Sequence, residues 1–461
     1  MKKQLQKSIL IAVLTIFGLS NFVNAQTISA GNDHTLALCA NGTAMAWGYN
    51  FAGQLGNGNN TPSNLPEQVV SINDIISLTS GYYYNLALKS DGTVWAWGRN
   101  DVGQLGNGTT VNSNVPIQCT GLSEIISIAA GTDHSLALKN DGTVWAWGLN
   151  IYGQFGNGTS SSNIPIQINT LSGITAIAVG LSHSLFLKDD GTLYASGDNS
   201  FGQLGDGTNT TSNFPVQVVG LTGITKIASR NIHSLALKND GTVWSWGHNS
   251  HGQLGNGSNI NSNFPIQVNS LLNVNTIAAG GLYSVALKND GTIFLWGQNA
   301  FGELGNGTYE DSNVPIQNTS LTGITDISGG GRHSLARKND GTVWTWGYNS
   351  NGQLGNGTNT NSNIPVSVSN LCDGILAINN IETTNSNLIL YPNPCKDQLF
   401  VEYTDYKNTL IEIFNLQGQL LLRNTLNSSM TTLHLNNYPS GIYLVKVKSP
   451  TVIIVKQFIK N

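Results

Sequence analysis

Apolar and polar residues alternate along most of this chain in short runs, and the runs recur. In residues 125–168, IISIAAG is short and apolar, while HSLALK alternates with His134, Leu136 and Leu138 on one side. TVWAWG places Trp145 and Trp147 two apart, hence on one face, and NIPIQI closes the unit. Such period-2 runs predict strands. Asp141-Gly142 supplies the positive φ of a tight hairpin between the second and third runs. The proline of the fourth run has no amide donor, which suits an outer edge. One unit therefore reads as a four-stranded antiparallel sheet.

The unit is repeated seven times. The turn glycine returns at Gly42, Gly92, Gly142, Gly191, Gly241, Gly291 and Gly341, and the loop typified by GQLGNG starts at Gly53, Gly103, Gly153, Gly202, Gly252, Gly302 and Gly352. A single sheet cannot bury both apolar faces, but sheets stacked in a closed ring can. An open array would need polar caps, and none is apparent. The expectation is an all-β chain: a seven-bladed β-propeller over residues 26–372, with the tryptophans as packing between blades.

The stretch GTDHSLALKNDGTVWAWGLNIYGQFGNG resembles the repeats of the regulator of chromosome condensation family. Its marks are G-x-x-H-[ST] and W-G-x-N-x-x-G-Q-L-G. The resemblance covers residues 27–372 and implies a seven-bladed propeller. The eukaryotic founder of the family is a nucleotide exchange factor that also binds chromatin. Other relatives, secreted bacterial propellers among them, do neither.

The pattern stops after Cys372. Residues 373–387 read as a linker. In residues 388–461, LILYPNPCKDQLFVEY, TLIEIFNLQGQLLL and YPSGIYLVKVKS are alternating strands with glycine turns, predicting a small β-sandwich. The segment resembles the sorting domain that ends cargo of the type IX secretion system. The matching residues are Tyr391, Pro392, Asn393 and Pro394, the turn at Gly418, and Gly441 with Tyr443, followed by a terminal basic-apolar strand. The resemblance implies the secretion machinery as a partner and export through the periplasm to the outer surface or the medium.

The N-terminus fits that route. Lys2, Lys3 and Lys7 precede an apolar run from Ile9 to Leu19, and Val23-Asn24-Ala25 is a cleavage signal before Gln26. The run is short for a bilayer span, so no integral span is expected after cleavage. Residues 26–387 carry eleven Lys and Arg against twenty-one Asp and Glu, which disfavours nucleic acid as a partner. The four cysteines, Cys39, Cys119, Cys372 and Cys395, share no repeat position. Buried free thiols are the first expectation, with a Cys372–Cys395 bridge as the alternative.

Catalytic chemistry finds little support. His34, His134, His183, His233 and His333 share one register, with Tyr84 and Tyr283 in the other two blades. A symmetric histidine reads as a packing residue, and equivalent residues spread round a ring do not converge on a metal. GQLGNG lacks the Lys-[ST] of a phosphate loop. No metal, cofactor or catalytic residue is expected. The drifting positions carry more information. They are the residue after Trp-Gly, the pair before the histidine register and the pair before Gly-Gln, all expected on one face of the propeller. The candidates for partner binding are Tyr49, Tyr82, Tyr83, Arg99, Asp101, Asp133, Tyr152, Asp198, Phe201, His248, His251, Phe301, Arg332 and Tyr348. They point to a non-catalytic module for a protein or glycan. The alternative is a secreted polysaccharide-active enzyme with paired acids ~5–9.5 Å apart, for which Asp101, Asp133 and Asp198 are the acids to inspect. Nucleotide exchange is the weaker alternative. Three departures stand out: Ala195-Ser196 in place of Ala-Trp, which predicts looser packing of blade 4, Arg230 in place of Gly, and Arg337 at an apolar position.

Overall fold

The computed structural model describes residues 25–369, 371–372, 388–403, 409–415, 420–426, 428–448 and 453–461. The signal sequence up to Asn24, the linker 373–387 and the Gly418 turn lie outside the described residues. The chain divides into two units, Met1–Cys372 and Asp373–Asn461.

The first unit contains seven four-stranded sheets, each with its strands in sequence order. Blade 1 comprises β1 (Ala25–Ala30), β2 (His34–Cys39), β3 (Ala44–Gly48) and β4 (Ser63–Gln68). Blades 2 to 7 repeat this over 75–118, 125–168, 174–217, 224–267, 274–318 and 324–367. Every pairing is antiparallel, as in Leu36 opposite Ala46.

The second strand differs from the alternation read in the sequence. In blade 1 all six of its residues are buried, because one side packs on the preceding blade and the other on the next. In blade 3, Leu136 and Leu138 face the cluster shared with blade 4, while Ala137 and Trp147 face the cluster shared with blade 2. Small side chains therefore point one way and large ones the other. The third strand keeps its predicted face, with Trp147 fully buried and Trp145 partly buried against the same cluster.

Polar bonds join the blades in a repeating pattern. The indole of Trp97 donates to the Gln54 carbonyl of the preceding blade at 3.0 Å, and Asn85 Nδ2 donates to the same oxygen at 2.7 Å. The pairs Trp147 and Ser135 on Gln104, Trp246 and Ser234 on Gln203, and Trp296 and Ser284 on Gln253 repeat it. Trp47 and Thr35 of blade 1 donate to the Gln353 carbonyl of blade 7, which closes the ring. The histidines occupy the same layer. His134 Nε2 meets Ser184 Oγ of the next blade at 3.0 Å, His183 meets Ser234 at 2.9 Å and His233 meets Ser284 at 3.0 Å. Where the register holds tyrosine, the hydroxyl of Tyr84 donates to the His134 carbonyl of the next blade at 2.6 Å.

Blade 4 is not loosely packed. Ser196 replaces the tryptophan, but its hydroxyl bonds the same carbonyl, that of Gln154, at 3.2 Å. The missing volume is filled by Phe186, which stands where the other blades have alanine, and by Phe155, which replaces a leucine; both are fully buried in the cluster between blades 3 and 4. Arg337 is compensated locally: it pairs in register with Asp326, and the two interact electrostatically.

The cysteines correct the expected pairing. Cys39 and Cys372 form a disulfide across 333 residues, joining the end of β2 to the chain just after blade 7. Cys119 and Cys395 are free and buried. Cys119 packs where five of the other six blades carry Val or Ile, such as Val69 and Ile168, and blade 6 carries Asn318. Cys39 occupies the end-of-strand position that holds Lys in the other six blades, so the bridge replaces a solvated side chain at the seam of the ring. A stable disulfide suits an oxidising compartment.

The second unit has a three-stranded sheet (Leu388–Tyr391, Gln398–Tyr403, Met430–His434) and a four-stranded one (Leu420–Thr425, Leu410–Asn415, Gly441–Lys448, Ile453–Lys460). Leu399, Val401 and Leu433 of the first share a core with Ile411, Val445 and Phe458 of the second. The motif residues hold the last strand. Asn393 Oδ1 accepts the Ile459 amide at 2.8 Å, and Asn393 Nδ2 donates to the Gln457 carbonyl at 3.2 Å. Tyr391 stacks on Phe400, and Tyr443 stacks on Phe458 while its hydroxyl donates to the Pro439 carbonyl at 2.6 Å.

Candidate binding face

Two of the drifting stretches meet in every blade. The residue after Trp-Gly donates its backbone N–H to the residue just before the histidine register: Tyr49 to Asp33 at 2.9 Å, Arg99 to Tyr83 at 2.9 Å, and Tyr348 to Arg332 at 2.8 Å. The intervening glycine permits this approach. Gly48 has a φ of 104°, and a Cβ there would lie 2.6 Å from the Asp33 carbonyl. The loop between the first two strands and the loop between the last two are thus held side by side.

The candidates gather at blade boundaries rather than in one patch. At blades 1 and 2, Tyr49 lies 4.9 Å from Phe51 and 5.1 Å from Tyr83 between ring centres, and Tyr82 meets Tyr83 edge-on at 4.6 Å. Phe51 is 67% exposed. Sequence reasoning left it out of the candidates although it belongs to the drifting pair before Gly-Gln. Asp33 adjoins this group. Burial raises its carboxyl above the usual carboxylate value, while Asn32 donates to it at 2.7 Å.

At blades 2 and 3, Arg99 bridges two acids, Asp101 at 2.6 Å and Asp133 at 3.1 Å. Burial raises the Asp133 carboxyl, and Arg99 opposes the rise. Tyr152 is exposed on blade 3 beside Ile151. At blades 4 and 5, Phe201 meets His248 edge-on at 4.8 Å, and burial lowers the His248 pKa. Asp198 is held within its own blade by Gln203 and Ser200. His251 pairs with Asp311 at 2.7 Å, a partner the sequence did not single out. At blades 6 and 7, the Arg332 guanidinium lies over Phe301 at 5.2 Å and Tyr348 at 5.9 Å.

The histidines of the shared register lie outside this face. All five are fully buried, and burial lowers their pKa values to about 4 for His34 and His183 and about 3 for His134, His233 and His333. Among the described residues their Nδ1 atoms have no hydrogen-bond partner, so a second ring proton would be unsatisfied.

A repeated four-stranded blade, a closed ring and drifting loops on one face define a repeat propeller. Residues 117–382 match the RCC1-like domain, and residues 41–88 and 91–138 match the regulator of chromosome condensation (RCC1) repeat, as do 26–54 and 75–104 in a second form of it. The chain belongs to the RCC1-like domain family. Residues 389–461 match the secretion system C-terminal sorting domain, the type IX tail, so the protein is a propeller bound for the cell surface or the medium. No curated protein matches the sequence. Among solved structures, human WBSCR16 is similar at 26% identity with a TM-score of 0.65, covering 71% of this chain and 94% of that one. The yeast RCC1 protein Prp20, solved bound to Kap60, is similar at 23% identity with a TM-score of 0.64, covering 80% of this chain and 87% of that one. A second structure of Prp20p, from Saccharomyces cerevisiae, gives 23% identity and 0.64 over 80% of this chain and 90% of that one. Among the described residues no helix is long and apolar enough to cross a membrane.

Proposed function

We propose that the propeller is a non-catalytic recognition module that engages a protein or glycan outside the cell through its drifting loops. The observation that carries this reading is the Tyr49, Phe51, Tyr82 and Tyr83 group: four aromatic residues from two blades in mutual contact, with Phe51 exposed, on an otherwise regular scaffold. Aromatic side chains present large contact area with few torsions to freeze, which suits recognition. Arg99 ties up Asp101 at 2.6 Å and Asp133 at 3.1 Å, so the two acids share one cation on this face, an arrangement that suits recognition. Delivery runs through the periplasm and then the type IX machinery, with the C-terminal unit as the address.

The test is affinity capture with the mature chain against surface proteins and a glycan array, comparing wild type with a Phe51→Ala, Tyr82→Ala, Tyr83→Ala variant. A saturable partner lost in the variant, with the melting temperature kept, supports the reading. Capture unchanged by the variant removes it.

A further inference from the structure

The first strands of the seven blades surround a central cavity of about 270 Å³ that is lined by residues from every blade. Six blades bring a glycine to this level, at Gly31, Gly81, Gly131, Gly180, Gly280 and Gly330. Blade 5 brings Arg230, which ends the first strand of that blade. Its side chain reaches across to blade 1, where Nη1 donates to the Ala30 carbonyl at 2.7 Å. That is its one hydrogen bond among the described residues, leaving four of the five guanidinium N–H groups without a protein acceptor. Among the described residues it has no ion pair, and its other nitrogens are not sealed in protein. Arg230 is therefore a fixed cation that presents free donors to a cavity.

The surroundings are chemically specific. Asn32, Asn231, Gln298 and Thr132 also line the cavity, residues with amide and hydroxyl groups, as does Arg332, whose guanidinium lies over Phe301 and Tyr348. Tyr82 and Leu282 supply apolar faces. Among the described residues, the carboxyl whose charge acts on Arg230 is Asp33, and burial disfavours its charged form. Burial likewise disfavours charge on Arg230 itself, so a matching anion would gain from both sides.

We propose that this cavity takes the carboxylate of one acidic sugar unit, with Arg230 as its anchor. A guanidinium fork matches a carboxylate in a paired geometry. The amides and hydroxyl fit sugar hydroxyls, and the apolar faces fit ring carbons. The volume lies just under the ~300 Å³ at which pockets accept drug-sized ligands, so it holds a single small unit. The proposal rests on the reading of the propeller as a recognition module and names the chemistry of the ligand.

Calorimetric titration of the full mature chain with glucuronate tests it, with glucose, sodium sulfate and a short peptide ending in aspartate as parallel arms. Glucuronate is expected to saturate and to bind at least about tenfold tighter than the other three. Arg230→Gly and Arg230→Gln are each expected to lose about tenfold or more, on the order of 1.4 kcal/mol, with cooperative melting retained. Glycine is what the other six blades carry, and glutamine keeps a donor for Ala30. Absence of saturation, equal binding of sulfate or peptide, or unchanged affinity in both variants overturns the proposal. If a partner captured through the aromatic group persists while the Arg230 variants bind glucuronate like wild type, this inference falls alone. If glucuronate binds through Arg230 but the aromatic variant alters no capture, the earlier reading falls alone.

Discussion

His333 of blade 7 and Thr35 of blade 1 meet at 2.9 Å although 298 residues lie between them. The hydroxyl of Thr35 also donates to the Gln353 carbonyl at 2.9 Å. The bond that each internal blade makes to its neighbour is thus made once more between the two ends of the propeller, and the ring has no seam in its hydrogen bonding.

The five buried histidines make the propeller sensitive to acid. Their folded pKa values lie below the ordinary 6.5, so the unfolded chain binds protons first. Stability is full above about pH 6.5 and falls as pH drops toward the folded values, by about 2 kcal/mol per site at pH 5 as an upper estimate. His134→Tyr is expected to weaken this fall by about one proton, since Tyr84 and Tyr283 already serve that register. Urea midpoints between pH 7.5 and 5 check it, and an unchanged slope would refute the assignment.

Glu303 acts in the opposite direction. It replaces the Gln of the GQLGNG loop, is fully buried, and accepts the Phe301 amide at 2.8 Å, while its other oxygen has no partner among the described residues. Burial raises its pKa to about 7, so the folded state is penalised as pH rises from the ordinary 4.5 through 7. Glu303→Gln should stabilise the protein by about 1–3 kcal/mol at pH 8 and by almost nothing at pH 4.5. Thermal melts at the two pH values decide it.

Phe186 and Ser196 should behave as a matched exchange. Phe186→Ala alone is expected to cost about 3–5 kcal/mol, through the cavity it leaves. Ser196→Trp alone should cost about 1–3 kcal/mol from overpacking, and the double variant should recover most of both losses because it restores the Ala-and-Trp pair of the other blades. A double-mutant cycle by chemical denaturation measures the coupling, and additive losses would count against the exchange.

The Cys39–Cys372 bridge closes nearly the whole propeller into a loop. Cys372→Ser should lower stability by about 2–5 kcal/mol, while Cys119→Ser should leave the bridge intact. Added reductant should reproduce the loss in wild type and change nothing in Cys372→Ser.

Removal of residues 389–461 should leave a folded propeller that stays in the periplasm. Immunoblots of medium, surface and periplasmic fractions test this. Secretion at the wild-type level would remove the sorting role of the C-terminal unit.

Much of this was legible in the chain. Seven copies of one unit set the blade number, and Asp-Gly and Trp-Gly spacing set the strands, because turn chemistry and side-chain alternation are local properties. The drifting loops were legible for the same reason. Their contacts were not: Tyr49 meets Tyr83 and Arg99 meets Asp133 across blade boundaries, and a period in sequence does not say which side chains of neighbouring copies touch. The Cys39–Cys372 pair was missed because its members belong to opposite ends of the propeller, 333 residues apart.

The sequence by itself determined the repeat, the two units and the address at the C-terminus, since each rests on patterns within a few tens of residues. Only the tertiary structure decided that Phe186 fills the place of a missing tryptophan and that Arg337 is paired with Asp326. It alone decided, too, that Arg230 reaches Ala30 across the central cavity. Those outcomes depend on the ring closing, which brings residues hundreds of positions apart within bonding distance and leaves a charge at its centre that no single blade could hold.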